Sequence, residues 1–286
     1  MNLFNILTKK KLPKNVSPSQ TSKHDIPQKF QAIFNALDAY FPSLANSKVI
    51  DLGTSPSGDL ASLMTDRYDL SEFVGINPVC SREVKTGKTQ LHKSFAEKID
   101  RPDDYFDYGI SVAAFEHFHS LDKSLIELER VLKPGGMFFT LFGPIWSGPW
   151  GHHLWKTIEG QTYTYNNTFL PPYSHLIFEH DKLSSLIREK YKLSKEVANQ
   201  MTNYVLTSEE QNRLFYSDYL SIFNNSKLEI IFCYGSSVFP LNENRYSNLE
   251  AIKNLNTVKK KYPEKSGFEY NCIFLLARKK HIATNH

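Results

Sequence analysis

The chain has 286 residues, of which 41% are hydrophobic and 13% aromatic, and its formal net charge is +4. This composition supports a packed core and excludes a globally disordered protein. The 34 basic and 30 acidic residues are interspersed, so charge alone does not indicate a nucleic-acid partner. No apolar run reaches the roughly 18 residues that a membrane span needs, so no span is expected.

The three cysteines are odd in number and lack the spacing of metal ligands, which is typical of reduced thiols in a cytoplasmic protein. Residues 1–25 are polar and rich in Lys, Ser and Pro, so they are predicted to form a mobile tail, and residues 281–286 a second one. The alternative for the first tail is a membrane-surface patch formed by Leu3, Phe4, Ile6 and Leu7. Residues 26–280 are predicted to form one domain.

Helices and strands alternate in the first half of the chain. Apolar residues recur at helical spacing from Phe30 to Phe41, and Pro42 is expected to end that helix. Short strands are predicted over 49–52, 73–76, 108–112 and 137–142. A leucine-faced helix from Leu121 to Leu132 precedes the last of these strands, and Gly135 is expected to be its C-cap together with Gly136. This alternation predicts a parallel sheet with right-handed crossovers.

The pattern changes after Phe142. Residues 143–173 are rich in Gly, Pro, Trp, Tyr and Asn, with little periodicity. A helix is predicted over 181–193, and a capping-box pattern at 208–211 predicts the start of another. Strands at 228–234 and 270–277, with a helix over 249–261 between them, complete the prediction. We interpret residues 143–226 as an insertion that forms a lid and an acceptor-binding surface.

Three segments occur in a fixed order between residues 48 and 142. They are Val49-Ile50-Asp51-Leu52-Gly53, then Phe106-Asp107-Tyr108-Gly109-Ile110-Ser111 leading into Phe115-Glu116-His117, and finally Leu132-Lys133-Pro134-Gly135-Gly136. Together, at this spacing, they resemble the class I S-adenosylmethionine-dependent methyltransferases. The resemblance implies a Rossmann-like α/β fold: a mostly parallel sheet of seven strands, antiparallel in its last strand, with helices on both faces.

The same resemblance implies that S-adenosylmethionine binds at the carboxyl ends of the strands. Glycine in the turn after the first strand lets the backbone approach the ligand closely. At the end of the second strand the family usually has an acid that binds the ribose, and Asn77 stands there as an uncharged acceptor. The implied cofactor-binding residues are Asp51, Gly53, Ser55, Gly58, Asn77, Phe95, Ala96, Ser111 and Val112.

All three tryptophans lie within ten residues, from Trp146 to Trp155, in a Gly/Pro-rich segment that leaves the ligand edge of the sheet. They are expected either to pack within a lid that closes on glycine hinges or to contact the substrate. The substrate-binding candidates are Glu116, Trp146 and Trp150.

A hydroxyl acceptor gains from a nearby base, and histidine has a suitable pKa. The candidate bases are His117, His152 and His153. A metal site would combine His152 and His153 with His175 and His180, but this spacing matches no ligand signature, so no metal is predicted.

The sequence therefore predicts an enzyme that transfers a methyl group from S-adenosylmethionine to a small-molecule acceptor, with the hydroxyl of a sugar or related metabolite as the favoured group. The alternative is a non-catalytic binding or scaffold protein on the same fold, which Ser55, Asn77 and Phe95 favour. A nucleic-acid methyltransferase would need a basic stripe, and the basic runs at 259–261 and 278–280 are too short to form one. The sequence makes no prediction of the methylated atom or of the oligomeric state.

Overall fold

The computed structural model describes residues 26–80, 83–165, 170–236 and 248–281, so both predicted tails, apart from His281, lie outside the described residues. An eight-stranded sheet forms its centre, with the strand order β3-β4-β2-β1-β5-β6-β10-β9. The strands are β1 (Lys48–Leu52), β2 (Glu72–Ile76), β3 (Val84–Thr86), β4 (Thr89–His92), β5 (Phe106–Val112), β6 (Leu132–Phe142), β9 (Glu229–Ser236) and β10 (Cys272–Arg278). A separate hairpin pairs β7 (Trp155–Ile158) with β8 (Gln161–Thr164).

Strands β4, β2, β1, β5 and β6 run parallel to one another, while β10 runs antiparallel between β6 and β9. This confirms the Rossmann-like sheet with an antiparallel last strand. The predicted number of seven strands was one too low, because β3 pairs antiparallel with β4 and adds a strand at the edge. A strand as short as Val84–Thr86 leaves no periodic pattern in the sequence.

Helices cover both faces of the sheet. Side chains alternate along a strand, so Val49 packs on one face and Ile50 on the other. The first face is covered by α1 (Gln28–Tyr40) and α2 (Asp59–Tyr68), and the second by α3 (Leu121–Val131) and α7 (Tyr216–Asn225). No helix in the described part of the chain is long and apolar enough to cross a membrane.

The predicted C-cap at Gly135 and Gly136 was wrong. Helix α3 ends at Val131, and Gly135 lies inside β6 at a φ of +80°. The pairing of β5 with β6 shifts register here, from Phe106 opposite Leu132 to Tyr108 opposite Met137. Glycine is needed in this bulge because it accepts the left-handed conformation without steric cost.

The predicted insertion at 143–226 contains the β7–β8 hairpin and the helices α4 (Ser174–Ile177), α5 (His180–Tyr191), α6 (Lys195–Thr207) and α7. The hairpin, α5 and α6 share an apolar cluster of their own, centred on Leu154, Leu183, Ile187, Val197 and Met201. By contrast, Tyr219 and Phe223 of α7 belong to the main core, so the boundary at residue 226 stays a prediction. Helix α8 (Asn248–Lys261) contacts α4 through the apolar cluster of Tyr173, Leu176 and Val258.

Two helix predictions in this region had different outcomes. The helix over 181–193 is confirmed as α5, but the capping box at 208–211 was wrong. The Ser208 hydroxyl accepts a bond from the Glu210 N–H at 3.2 Å and closes a local turn after α6. Helix α7 begins at Tyr216, where the Asp218 carboxylate accepts the Phe215 N–H at 3.0 Å.

Candidate active site

A cleft of about 450 Å³ opens at the carboxyl ends of β1, β2 and β5. Strand β1 lies between β2 and β5, so the chain leaves β1 towards one side of the sheet and later enters β5 on the other side, which leaves space for a ligand between the two connections. The cleft is lined by Gly53, Ile76, Asn77, Pro78, Val79, Ser94, Phe95, Ala96, Glu97, Ala113, Ala114, His117, Phe118, His119, Glu209 and Glu210.

Gly53 forms the turn after β1 and lines the cleft. Its φ is +81°, and its N–H donates to the Ile76 carbonyl at 2.8 Å. A Cβ at this position would overlap the Cβ of Ala114. The fold itself therefore requires glycine here, in addition to any ligand that approaches the turn.

The side chain of Asn77 connects the segments that follow β1 and β2. Its amide Nδ2 donates to the Thr54 carbonyl at 2.7 Å, and its Oδ1 accepts the Val79 N–H at 3.0 Å. An aspartate could not donate to Thr54, which gives a structural reason for the amide. The second lone pair of Oδ1 remains able to accept a bond from a ligand in the cleft.

The outer wall of the cleft is apolar. Val79 is 71% exposed and Phe95 is 66% exposed, although both are large hydrophobic side chains. Ala96 lies beside Phe95 in the same wall. Exposed apolar faces at a concave site are suited to holding a flat ring.

Three predicted cofactor residues lie beneath the cleft or beside it. Asp51 is buried, its Oδ1 has no hydrogen-bond partner among the described residues, and burial raises the pKa of its carboxyl to about 7. The Ser111 hydroxyl donates to the Leu52 carbonyl at 2.7 Å and joins β5 to β1. Val112 is half-buried and packs with the apolar cluster around α1 and α2.

The two remaining members of the predicted cofactor set lie in the turn before α2, outside the cleft wall. Ser55 is exposed, and its hydroxyl lies 2.8 Å from that of Ser57. Gly58 adopts a left-handed conformation, with a φ of +72°, directly before α2 begins.

A second cavity of about 260 Å³ adjoins the first and shares Ala113, His117 and Glu210 with it. Its other lining residues are Glu116, Gly143, His153, Trp155, Tyr165 and Tyr204. The sequence missed Tyr165, Tyr204 and Glu210, because no local spacing connects them with the strand ends. Trp155 of the tryptophan cluster and the candidates Glu116, His117 and His153 were the sequence signals for this cavity.

Glu116, His117 and His153 converge where the two cavities meet. Each offers a ligand atom, and these atoms lie within 4.8 Å of one another. The His117 and His153 rings are nearly perpendicular, with centroids 4.9 Å apart, and His153 stacks on Tyr165 at 5.3 Å. The Nδ1 of His117 is bonded to the Glu210 carbonyl.

Burial controls the charge of this cluster. Glu116 is only 1% exposed, and burial raises the pKa of its carboxyl to about 7 against the opposing effect of His117. Its Oε1 accepts the Gly143 N–H at 3.1 Å, while its Oε2 has no hydrogen-bond partner in the described part of the chain. Burial, and secondarily His117, lowers the pKa of His153 to about 3.

His152 does not reach either of these cavities. It is 2% exposed, its Nδ1 accepts the Leu154 N–H at 3.1 Å, and its ring packs between Trp150 and His175. Burial lowers its pKa well below the usual value. A base must reach the acceptor, so the structure gives no support to His152 in that role.

Trp146 and Trp150 also line neither cavity, although Trp146 and His152 border a small pocket that shares His153, Tyr204 and Glu210 with the second cavity. Trp150 is 3% exposed, and Trp146 packs on His175 with ring centroids 4.6 Å apart. The surrounding glycines permit close packing, since a Cβ at Gly148 would lie 2.6 Å from the Tyr270 carbonyl oxygen. The histidines of the sequence-based metal reading also do not converge, since His175 bonds to the Trp146 carbonyl and His180 to Asn203.

Comparisons with known proteins agree with this geometry. Residues 50–140 match the profile of the family described as a methyltransferase domain. The chain is 33% identical over 113 residues to the ubiquinone/menaquinone biosynthesis C-methyltransferase UbiE of Chromobacterium violaceum, covering 36% of this chain and 46% of that protein. It is 33% identical over 104 residues to the protein of the same name from Bordetella avium, covering 33% and 40%.

The chain thus spans less than half the length of the curated relatives that it matches. The solved structure of an S-adenosylmethionine dependent methyltransferase from Mesorhizobium loti aligns over 86% of this chain and 96% of that chain, with a TM-score of 0.50 at 15% identity. At 15% sequence identity, this similarity shows that the two proteins share a fold and nothing more. Residues 50–140 thus match a methyltransferase domain, and they lie on the mostly parallel sheet described above.

Proposed function

We propose that this protein transfers a methyl group from S-adenosylmethionine to a hydroxyl group of a small molecule. The observation that carries the proposal is the pair of cavities that adjoin at Ala113, His117 and Glu210. One cavity lies at the ligand edge of the sheet, and the other is walled by the segment that follows β6. Adjoining sites are what a transfer reaction needs, because positioning supplies much of the rate of an in-line displacement.

The first cavity fits the cofactor. Phe95 and Val79 offer exposed apolar faces to the adenine, the free lone pair of Asn77 Oδ1 suits a ribose hydroxyl, and Gly53 leaves room beside the turn for the methionine part. Once bound, the cofactor supplies a methyl group that is already activated on a sulfonium. The contribution of these residues is therefore binding and orientation.

The second cavity suits a small hydroxylated acceptor. Trp155, Tyr165 and Tyr204 provide aromatic faces, and Glu116, His117 and His153 provide polar atoms. A sugar or related metabolite can stack on such faces and hydrogen-bond with such groups. A volume of about 260 Å³ favours a monomeric substrate over a nucleic acid or other polymer.

A phenolic ring is a second candidate acceptor. The relatives in Chromobacterium violaceum and Bordetella avium are named as C-methyltransferases of quinone biosynthesis. The three aromatic side chains of the second cavity suit a flat ring as well as a sugar.

All three cysteines are free, which supports our placing the protein in the cytoplasm.

Calorimetric titration with S-adenosylmethionine and with S-adenosylhomocysteine tests the cofactor site. We expect both to bind, and Phe95→Ala to weaken binding about 10-fold through lost stacking on adenine. Ile126→Ala, which truncates another exposed apolar side chain outside the cavities, is the matched control. If neither S-adenosylmethionine nor S-adenosylhomocysteine gives a heat of binding at millimolar concentration, the proposal is wrong.

A methyl-transfer assay on the same protein, with sugars, polyols and phenols as acceptors, then separates enzyme from scaffold. The enzyme proposal expects S-adenosylhomocysteine to accumulate only when an acceptor is present. The scaffold alternative expects cofactor binding without turnover of any acceptor.

A further inference from the structure

We propose that Glu116, His117 and His153 form a binding site for a divalent first-row transition metal at the junction of the two cavities. The ion would hold the acceptor hydroxyl, a part of the inference that rests on the function proposed above. Two imidazoles and one carboxylate form a donor set that suits Zn²⁺, Mn²⁺, Fe²⁺ or Co²⁺ better than the all-oxygen preference of Mg²⁺ and Ca²⁺.

The spacing of the cluster is close to that of a metal site. The three ligand atoms lie within 4.8 Å of one another. Metal–ligand bonds of about 2.1 Å hold neighbouring ligand atoms roughly 3–4 Å apart, so a small side-chain rotation would close the site. Three protein ligands leave coordination positions open towards the cavity, which is typical of catalytic rather than structural metal sites.

The hydrogen bond of His117 prepares its ring for a metal. Its Nδ1 is bonded to the Glu210 carbonyl, and a carbonyl can only accept, so Nδ1 carries the proton. The lone pair of the ring is then on Nε2. An outer hydrogen bond to a carbonyl that fixes the tautomer in this way is a regular feature of metal-binding histidines.

The buried carboxylate of Glu116 points independently to a ligand. The side chain is 1% exposed, and its Oε2 has no hydrogen-bond partner among the described residues. Buried polar atoms without partners are rare, because leaving one unsatisfied costs the desolvation free energy of that group. A cation bound between Oε2 and the two imidazoles would satisfy it.

The third ligand has an unusual backbone. His153 adopts a φ of +46°, a left-handed conformation that non-glycine residues rarely adopt. Its ring is fixed against Tyr165 and His117, and the residue lines the second cavity beside Trp155. Strained residues of this kind concentrate at functional sites, where the surrounding structure holds them in place.

The transfer step balances with such an ion. A bound ion would lower the pKa of the acceptor hydroxyl, whose proton would pass to water at the open mouth of the cavity. The oxygen would form a bond to the methyl carbon while the carbon–sulfur bond of the sulfonium breaks. The products are the methyl ether, S-adenosylhomocysteine and one released proton, and no oxidant or reductant is needed.

Titration of untagged, chelator-treated protein with Co²⁺ tests the site directly, because the visible absorption of Co²⁺ reports its coordination. We expect one ion per chain in the wild type, and at least a 100-fold weaker affinity in Glu116→Gln and in His153→Asn, since even outer partners of metal ligands contribute 10- to 100-fold. Asparagine tolerates the left-handed backbone at 153, so this variant keeps the local fold. His180→Ala, which removes an exposed histidine outside the cluster, should bind as the wild type does.

Absence of one-to-one Co²⁺ binding at about 1 mM, or full binding by both ligand variants, overturns the metal site. The wild-type titration decides this even where a variant fails to fold. Cofactor titration of the same metal-free protein keeps the two proposals separable, because the adenine and ribose contacts do not involve the ion. Metal binding combined with metal-independent methyl transfer overturns the role given to the ion.

Discussion

The two cavities are built in different ways. The first, which we propose holds the cofactor and call the cofactor cleft, is walled by residues that directly follow parallel strands, such as Gly53 after β1 and Asn77 after β2. The second, which we propose holds the acceptor and call the acceptor cavity, takes its wall from Trp155, Tyr165 and Tyr204, which belong to a segment with an apolar core of its own. A strand end fixes the position of the residue after it, whereas a packed insertion places residues by contacts that are distant in sequence. The first wall is therefore predictable from motifs and the second is not.

Substitutions at the neighbouring histidines should have the largest effects. We expect His153→Asn to lower kcat/KM by about 100- to 10,000-fold with little change in cofactor affinity, because it removes a group at the junction of the cavities. His152→Ala should leave the turnover of the folded fraction unchanged and lower the Tm, because His152 is buried away from both cavities. Equal loss of turnover in the two variants would contradict the geometry described above.

The tryptophans test whether the acceptor wall is separate from the packing beneath it. Trp150→Ala should destabilise the protein by about 3–5 kcal/mol, because it empties a buried site. Trp155→Ala should leave the Tm nearly unchanged and raise the KM of the acceptor about 10-fold, because this half-exposed ring lines the second cavity. Thermal unfolding and steady-state kinetics measure the two effects. A large loss of Tm in Trp155→Ala together with a raised KM in Trp150→Ala would contradict the positions of these two side chains.

Asp51 gives a pH-dependent test beneath the cofactor cleft. Burial raises its pKa from 3.8 to about 7, so the folded state favours the protonated form and loses stability as the pH rises through this window. Asp51→Asn removes that loss, which is about 4 kcal/mol at most. We expect the Tm of the variant relative to the wild type to increase from pH 4 to pH 8. Asp66→Asn, on the exposed face of α2, controls for the loss of one charge, and a flat difference for Asp51→Asn would refute the prediction.

Asn77 gives the smallest expected effect. In Asn77→Asp, the charged carboxylate should strengthen the hydrogen bond with the ribose by about 1 kcal/mol. The variant also loses the 2.7 Å hydrogen bond from the Asn77 amide to the Thr54 carbonyl, which contributes a similar free energy. We therefore expect cofactor affinity to change by less than about 3-fold, and Asn77→Ala to weaken it about 10-fold. Calorimetry distinguishes these outcomes, and a large gain for the aspartate would mean that the bond to Thr54 contributes little.

The sequence predicted most of the sheet because buried strands and amphipathic helices have periodic patterns. Strands β1, β2, β5, β6, β9 and β10 and helices α1, α3, α5 and α8 all lie where those patterns indicated, although several ends differ by a few residues. The motifs also brought Gly53, Asn77, Phe95 and Ala96 to one cleft. Helix α6 was missed, and four of its five buried residues pack in the apolar cluster shared with the hairpin and α5.

The acceptor cavity was harder to predict for a physical reason. His152 and His153 are adjacent in sequence, yet one is enclosed by Trp150 and His175 and the other faces the cavity. A left-handed backbone at His153 turns the chain between them, and no composition rule predicts such a turn at histidine. The glycines at 148 and 151 are required for close backbone packing, which the sequence did not indicate, and their role as hinges stays a prediction.

The left-handed residues have a consequence for the evolution of this protein. Ala113 and His153 line the acceptor cavity with φ values of +49° and +46°, and each conformation costs roughly 1–2 kcal/mol with a side chain present. Selection for heat tolerance alone would favour glycine at both positions, since glycine removes this cost. At 113 the exchange would delete one methyl group, whereas at 153 it would delete the imidazole. A thermally improved lineage would therefore be expected to lose activity through position 153, where stability and function have opposite requirements.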